Sequence, residues 1–266
     1  MSNIPLFSVE GQVVLVSGAS RGIGKAIALG FAENGATVVI TGRQEDTLQK
    51  TAQELSDLEG AVSAQVCDVA KRTDLERLVQ NVMQEFGRID TLINVAGINI
   101  RSAAEEVSEA DFDAVLNTNL KGVFLLSQLV GKPMLSQGRG SQINIASLNT
   151  DRPLKYCLSY AISKAGVGHL TRTLAMEWGA RGVRVNAIAP GFVVTALNSY
   201  LWDDKTVLDW GLANIPQKRL GRPEDMVGTA IFLASEASNY VTGQIIYVDG
   251  GFTAGWTWPI SLDRQP

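Results

Sequence analysis

Two hydrophobic patterns alternate along this chain. Short runs of apolar and β-branched residues predict strands at Val13–Val16, Thr37–Thr41, Val62–Val66, Thr91–Val95, Gln142–Ala146, Val183–Ala189 and Gln244–Val248. Between them, apolar residues recur every three or four positions, as on one face of a helix. Ile23, Ile27 and Phe31 form one such stripe, and Leu48, Ala52 and Leu55 a second. The clearest is Leu75, Leu78, Val79, Val82 and Phe86. A helix from Asp111 carries Phe112, Val115, Leu116, Asn119, Val123 and Leu126. Another runs from Cys157 to Trp178 with Val167, Leu170, Leu174 and Trp178 inward. The last, Pro223 to Ala234, opens with a proline in its first turn and two acids after it. About seven strands alternating with about six helices predict one α/β domain over 1–266, a Rossmann-type, doubly wound parallel sheet with helices on both faces.

The composition agrees with that picture. The chain has 266 residues, 45% hydrophobic and 19% charged, enough for one sizeable core. A net charge of −4 argues against nucleic acid and against an anionic membrane as main partners. The opening MSNIPLFSVEG lacks the charged and apolar blocks of a signal peptide, and no apolar run reaches membrane-spanning length. Two cysteines, Cys67 and Cys157, are too few for a disulfide framework, so reduced thiols and a cytoplasmic location are expected. A single histidine, His169, leaves no His/Cys metal cluster, and it is expected on a helix surface or junction.

The candidate chemistry gathers at the carboxyl ends of the predicted strands, where open α/β sheets bind ligands. The first strand runs into Ser17–Gly24, SGASRGIG, and then a helix. Gly18, Gly22 and Gly24 would let the backbone approach a pyrophosphate, which the helix N-terminus favours. The spacing is Gly-x-x-x-Gly-x-Gly, and the competing reading is a plain tight turn. After the second strand stand Gly42 and Arg43, where NAD-binding folds carry an acid for the ribose hydroxyls. Arg43, with Arg21, could instead meet a 2′-phosphate, which favours NADP over NAD; otherwise both are solvated surface groups. Asp68, before Val69, could hold the adenine amino group or cap a helix. Asn94, Ala96 and Gly97 would let the backbone pass under a cofactor. Asn119 falls on an apolar stripe, so it is either a structural amide or part of a polar site. Ser147 closes the fifth strand. Tyr160 and Lys164, at i and i+4, share one helix face, where an ammonium would lower the phenol pKa and the pair could move a proton. Tyr-x-x-x-Lys alone is common by chance. The turn Pro190, Gly191, Phe192, Val193, Val194, Thr195 could line a nicotinamide. Residues 195–220, with Trp202 and Trp210, read as a lid over an apolar pocket or as a fixed core helix. The tail, 252–266, carries Trp256 and Trp258 and no regular element.

Taken together, SGASRGIG at 17–24, CDV at 67–69, NVAG at 94–97, Asn119, Ser147, YAISK at 160–164 and PGFVVT at 190–195 strongly resemble the short-chain dehydrogenases/reductases. The resemblance spans about residues 6 to 251. It implies Tyr160 as acid/base, Lys164 lowering its pKa and binding the nicotinamide ribose, Ser147 orienting the substrate oxygen, and Asn119 holding a proton-relay water. It also implies Gly18, Ser20, Arg21, Ile23, Asp68, Asn94 and Val193 near the cofactor, and a homotetramer packed through the Asp111 and Cys157 helices and through the Pro223 helix with the seventh strand. Two positions depart from the pattern: Ser17 replaces the usual threonine, and Val95 the usual second asparagine. Within the family the chain looks most similar to gluconate 5-dehydrogenases and related sugar-acid or polyol dehydrogenases, and to 3-oxoacyl-carrier-protein reductases.

The expectation is therefore an NADP-preferring enzyme moving a hydride between nicotinamide and a ketone or secondary alcohol. A dinucleotide-binding regulatory protein on the same fold is the other reading, since fold does not fix function. For the substrate, Arg101 could bind a carboxylate, while Trp202 and Trp256 would suit an apolar or ring-shaped compound. Leu148, Asn149 and Leu197 are further candidates.

Overall fold

The structure, a computed structural model, describes residues 6–256 apart from positions 57, 59 and 197. Strand β1 (Val13–Ser17) leads through α1 (Gly22–Glu33) to β2 (Thr37–Gly42), and α2 (Glu45–Ser56) to β3 (Val62–Val66). Helix α3 (Arg72–Phe86) returns the chain to β4 (Thr91–Asn94). Then α4 (Glu109–Leu116) and α5 (Gly122–Gln137) precede β5 (Gly140–Ile145), and α6 (Leu158–Trp178) precedes β6 (Val183–Pro190). Two short helices, α7 (Ser199–Trp202) and α8 (Lys205–Asn214), and α9 (Val227–Ala234) come before β7 (Ile245–Val248). The seven strands pair in parallel in the order β3-β2-β1-β4-β5-β6-β7.

The unbroken apolar runs follow from this burial. Side chains alternate across a strand, and both faces of the sheet are covered. Val14 and Val16 join Ile27, Phe31, Leu48 and Leu233 in one core. Their neighbours Val13 and Leu15 join Leu75, Leu78, Leu126 and Trp178 in the other. All five residues of β1 are therefore buried. At the edge strand β3 burial is only partial, and polar Ser63 and Gln65 are accommodated there.

The strand order reverses between β1 and β4, where the α1 and α3 crossovers leave on opposite sides. That reversal opens a crevice at the carboxyl ends of the strands. The continuous helix expected from Asp111 is interrupted there. A π-helical turn, Asn117–Lys121, separates α4 from α5. The apolar spacing continues through the insertion, which is why periodicity did not reveal it. Gly122, just beyond, packs so closely that an added Cβ would lie 2.7 Å from the carbonyl oxygen of Val69.

Trp202 and Trp210 do not hang free. Both meet Phe192 edge-on, at 5.5 and 5.8 Å between ring centroids, and Phe252 meets it at 4.9 Å. This aromatic cluster ties α7 and α8 to the turn after β6 and to the C-terminal segment. His169 is exposed on α6, and Cys67 and Cys157 are buried free thiols. Leu197 and Trp258 lie outside the described residues. Among the described residues, no helix is long and apolar enough to cross a membrane.

Candidate active site

The reversal point holds a cleft of about 290 Å³. At one end the glycine loop forms its floor. Gly18 adopts φ +69°, and a Cβ there would lie 2.7 Å from the backbone of Ala96. A Cβ on Gly24 would lie 2.3 Å from the carbonyl oxygen of Gly18. These positions admit only hydrogen because two backbones cross. No side chain caps the N-terminus of α1, so its first amides are free to meet an anion. Ser17 keeps the loop in place: its Oγ accepts the N–H of Val95 at 3.1 Å, tying β1 to the turn after β4. The serine thus retains the hydroxyl on which the local fold depends.

Ser20, Arg21, Gly22, Ile23 and Arg43 line the same end. Both arginines are exposed, and neither forms an ion pair among the described residues. A Cβ on Gly42 would meet Ser20 Oγ at 3.1 Å, so an acid at this position would crowd the loop. The donor set is a glycine cradle flanked by two guanidiniums with no carboxylate at position 42, and it fits a dinucleotide carrying a 2′-phosphate. Asp68 and Val69 line the adjoining wall. The Asp68 carboxylate accepts the N–H of Ala70 at 3.1 Å, while the N-cap of α3 is Lys71, so Asp68 is not that helix's cap. Cys67, also on the wall, is a poor nucleophile, because burial and the nearby acids Asp74 and Asp68 push its thiol up to about 12.

Asn94 departs from the expectation. It is buried, and its Nδ2 donates to Asn144 Oδ1 at 2.9 Å and Ser127 Oγ at 3.1 Å. It is a clamp between β4, β5 and α5 and does not reach the cleft, whereas Ala96 and Gly97 do. At the far end, Pro190, Gly191, Val193 and Thr195 form the rim. Sequence reading missed Asn198 here. Its Oδ1 accepts the N–H of Thr195 and its Nδ2 donates to the carbonyl of Val193, which pins the turn. Asparagine three positions past a threonine is a weak turn signal, visible only in hindsight. Thr118 and Ile98 were also missed.

Between the two ends stand Ser147, Tyr160 and Lys164. Helix α6 carries the last two; the strand β5 delivers the first. Lys164 is 3% exposed, and its Nζ donates to the carbonyl of Ile145 at 2.6 Å. Burial pushes its pKa down to about 8. The Nζ lies 5.6 Å from the centroid of the Tyr160 ring. The phenol itself is raised above its ordinary value by burial, against the nearby hydroxyl of Ser147 and the charge of Arg101, which lower it. Desolvation thus opposes the lowering expected of a phenol beside an ammonium. Asn119 sits behind this group, fully buried on the π-turn. It donates to the carbonyl of Ile98 and to Ser163 Oγ and accepts the N–H of Ile98, so its side chain is fully engaged. A relay water would have to use its main chain.

The expected substrate residues scatter. Arg101 is exposed and donates to Tyr200 Oη at 2.9 Å, bridging the loop after β4 to α7. Trp202 is engaged with Phe192, away from the cleft lining. Leu148 is only 2% exposed and is not among the residues lining the cleft. Trp256 is 87% exposed and lines no part of the cleft within this chain. Asn149 turns its amide back onto Ser147.

The chain's relatives share this architecture. Residues 18–253 match the family model described as enoyl-(acyl carrier protein) reductase. A 3-oxoacyl-(acyl-carrier-protein) reductase of Thermotoga maritima is 42% identical over 91% of this chain and 98% of its own length. Gluconate 5-dehydrogenase of Gluconobacter oxydans is 39% identical over 95% of this chain and 99% of its own. Among solved structures, an NADP-bound gluconate 5-dehydrogenase candidate from Beutenbergia cavernae superposes with a TM-score of 0.91 at 43% identity, covering 94% of this chain and 100% of that one. The Burkholderia cenocepacia gluconate 5-dehydrogenase, in complex with NADP and tartrate, gives 0.91 at 36% identity over 94% of this chain and 98% of that one. On the family match, these identities and the common fold, the chain belongs to the short-chain dehydrogenase/reductase family of oxidoreductases.

Proposed function

We propose that this enzyme moves a hydride between NADP(H) and a ketone or secondary alcohol, with a hydroxylated or sugar-acid compound as substrate. The observation that carries the reading is the meeting of Ser147, Tyr160 and Lys164 on one wall of a cleft whose other end is the glycine cradle with Arg21 and Arg43. NADPH, when bound, supplies the hydride. In the reducing direction the protonated phenol of Tyr160 gives its proton to the carbonyl oxygen as negative charge develops there. Ser147 donates a second hydrogen bond to the same oxygen, acting where charge appears. Lys164 holds the ribose of the nicotinamide and its cationic charge favours the phenolate that Tyr160 becomes. Asn119 keeps the turn at Ile98 and the start of α6 in register. Arg21 and Arg43 hold the 2′-phosphate, and Asp68 and Val69 receive the adenine.

The cation at Arg101, near enough to act on Tyr160, supports a carboxylate-bearing substrate. The names of the Gluconobacter and Burkholderia relatives point the same way. The 42% identity to the Thermotoga reductase supports a second reading, reduction of a 3-oxoacyl thioester. The proposal includes a homotetramer, for which Phe124, Leu158, Ile162 and Met176 leave exposed apolar surface on α5 and α6. It also includes a cytoplasmic location, supported by the two free thiols.

The deciding experiment is loss of NADPH or NADH absorbance at 340 nm with 5-keto-D-gluconate, a neutral cyclic ketone and an acetoacetyl thioester. Turnover of the keto-acid with NADPH is expected. Exclusive turnover of the thioester would move the assignment to the second reading, and no turnover of any ketone would defeat both.

A further inference from the structure

We propose that Asn149 is a positioning residue for the reaction, setting the hydroxyl of Ser147 as a hydrogen-bond donor toward the substrate oxygen. This rests on the reading of Ser147 given above.

A serine hydroxyl has one proton and two acceptor lone pairs, and it rotates to suit its partners. At Ser147 the acceptor side is taken up within its own turn, by Asn149 and by the backbone N–H of Thr150. The backbone N–H of Asn149 donates to Ser147 Oγ at 3.1 Å, and its Nδ2 donates to the same oxygen at 3.4 Å. Neither group can accept a proton. The Ser147 proton is therefore left to point away from Asn149, toward Tyr160 and the cleft, both of which Ser147 faces.

The amide of Asn149 is itself held in one orientation. Its Oδ1 accepts the N–H of Leu154 at 2.9 Å, so a flip would set the NH₂ against a backbone donor and the oxygen against Ser147. The residue is 7% exposed and stands behind the cleft wall, where water competes little for either bond. The turn that carries both residues is fastened as well. The Ser147 N–H donates to Thr150 Oγ1 at 3.4 Å, and Thr150 Oγ1 donates to the carbonyl of Lys164 at 3.3 Å. A donor aimed in advance at a developing alkoxide needs no reorientation during the step, which is where such groups act most strongly.

The substitution that separates positioning from structure is Asn149→Asp. Aspartate keeps the shape and the acceptor for Leu154, but it replaces the Nδ2 donor with an acceptor that captures the Ser147 proton. With NADPH and 5-keto-D-gluconate, or the acetoacetyl thioester if the panel selects it, kcat should fall about 10²-fold. KM and the NADPH Kd, read by tryptophan fluorescence, should stay within about twofold, since neither the substrate's other contacts nor the cofactor cradle is touched. Asn149→Ala keeps the backbone donor and should lose roughly three- to tenfold, the worth of one hydrogen bond. If the aspartate variant does not fold, the alanine variant answers through a double-mutant cycle with Ser147→Ala. An effect that acts only through Ser147 disappears in that background. Full kcat in Asn149→Asp, or losses that multiply in the double variant, would overturn the proposal. If Ser147→Ala itself turns over like the wild type, the role of Ser147 is wrong and this inference falls with it. A crippled Ser147→Ala beside an intact Asn149→Asp rejects the inference alone.

Discussion

Burying the ammonium of Lys164 costs the fold stability, and the cost depends on pH in a way that one substitution isolates. Burial pushes this group down to about 8 in the folded protein, well below the ordinary lysine value, and it is 3% exposed, so solvent screening does not reduce the figure. A displacement of that size is worth about 3 kcal/mol at pH 7, where both states are protonated. The sign follows from proton counting. Between the two pKa values the unfolded chain binds more protons than the native one, so stability rises with pH. The penalty is fully present below about pH 8 and fades as pH climbs toward the unfolded value, falling by about 2 kcal/mol between pH 7 and 9.5. Lys164→Met removes the titration. It also removes the hydrogen bond to the Ile145 carbonyl, a loss of about 1–3 kcal/mol that does not vary with pH. Urea unfolding of wild type and variant at pH 7 and 9.5 therefore contains the answer in its double difference, in which every titrating group not coupled to Lys164 cancels. Wild type should gain about 2 kcal/mol on the variant across that interval. A difference that stays constant within about 0.5 kcal/mol, well below that gain, would mean that Lys164 is solvated or paired in the native state and the desolvation argument is wrong.

Three further outcomes follow from the site. Tyr160→Phe should leave fold and cofactor affinity unchanged while lowering kcat about 10²–10⁴-fold, the usual worth of general acid catalysis; stopped-flow NADPH oxidation reads this, and turnover within about threefold of wild type would reject the assignment. Arg43→Ala should reduce kcat/KM for NADP(H) far more than for NAD(H), and equal losses would show that this side chain does not read the 2′-phosphate. Gly18→Ala places a Cβ 2.7 Å from the backbone of Ala96 at a φ of +69°, so the thermal midpoint and NADPH binding should both drop; a variant that binds NADPH normally would show that the loop can move aside.

Much of this protein was legible before any fold was in hand, because the relevant signals are local. A strand buried on both faces must be apolar throughout, so Val13–Val16 and Val183–Ala189 announce themselves. Glycine spacing between a strand and a helix marks where backbones must cross, and Tyr160 and Lys164 meet because helical geometry puts i and i+4 on one face. What remained hidden depends on neighbours distant in the chain. Asn94 looks like a cofactor contact in its motif, yet Asn144 and Ser127, far along the sequence, claim its amide. The π-turn at Asn119 changes backbone hydrogen bonding without disturbing the apolar period. Whether a tyrosine beside a lysine is acidic or not depends on how deeply both are buried, and only the packed structure sets that balance against the attraction of Ser147 and Arg101. The grip of Asn149 on Ser147 spans only two residues, but its direction is set by Leu154 and the closing of the turn. Periodicity and spacing determine which residues reach the carboxyl ends of the strands; the tertiary structure decides which of their polar atoms are already spoken for, because a buried donor or acceptor left without a partner costs the fold stability.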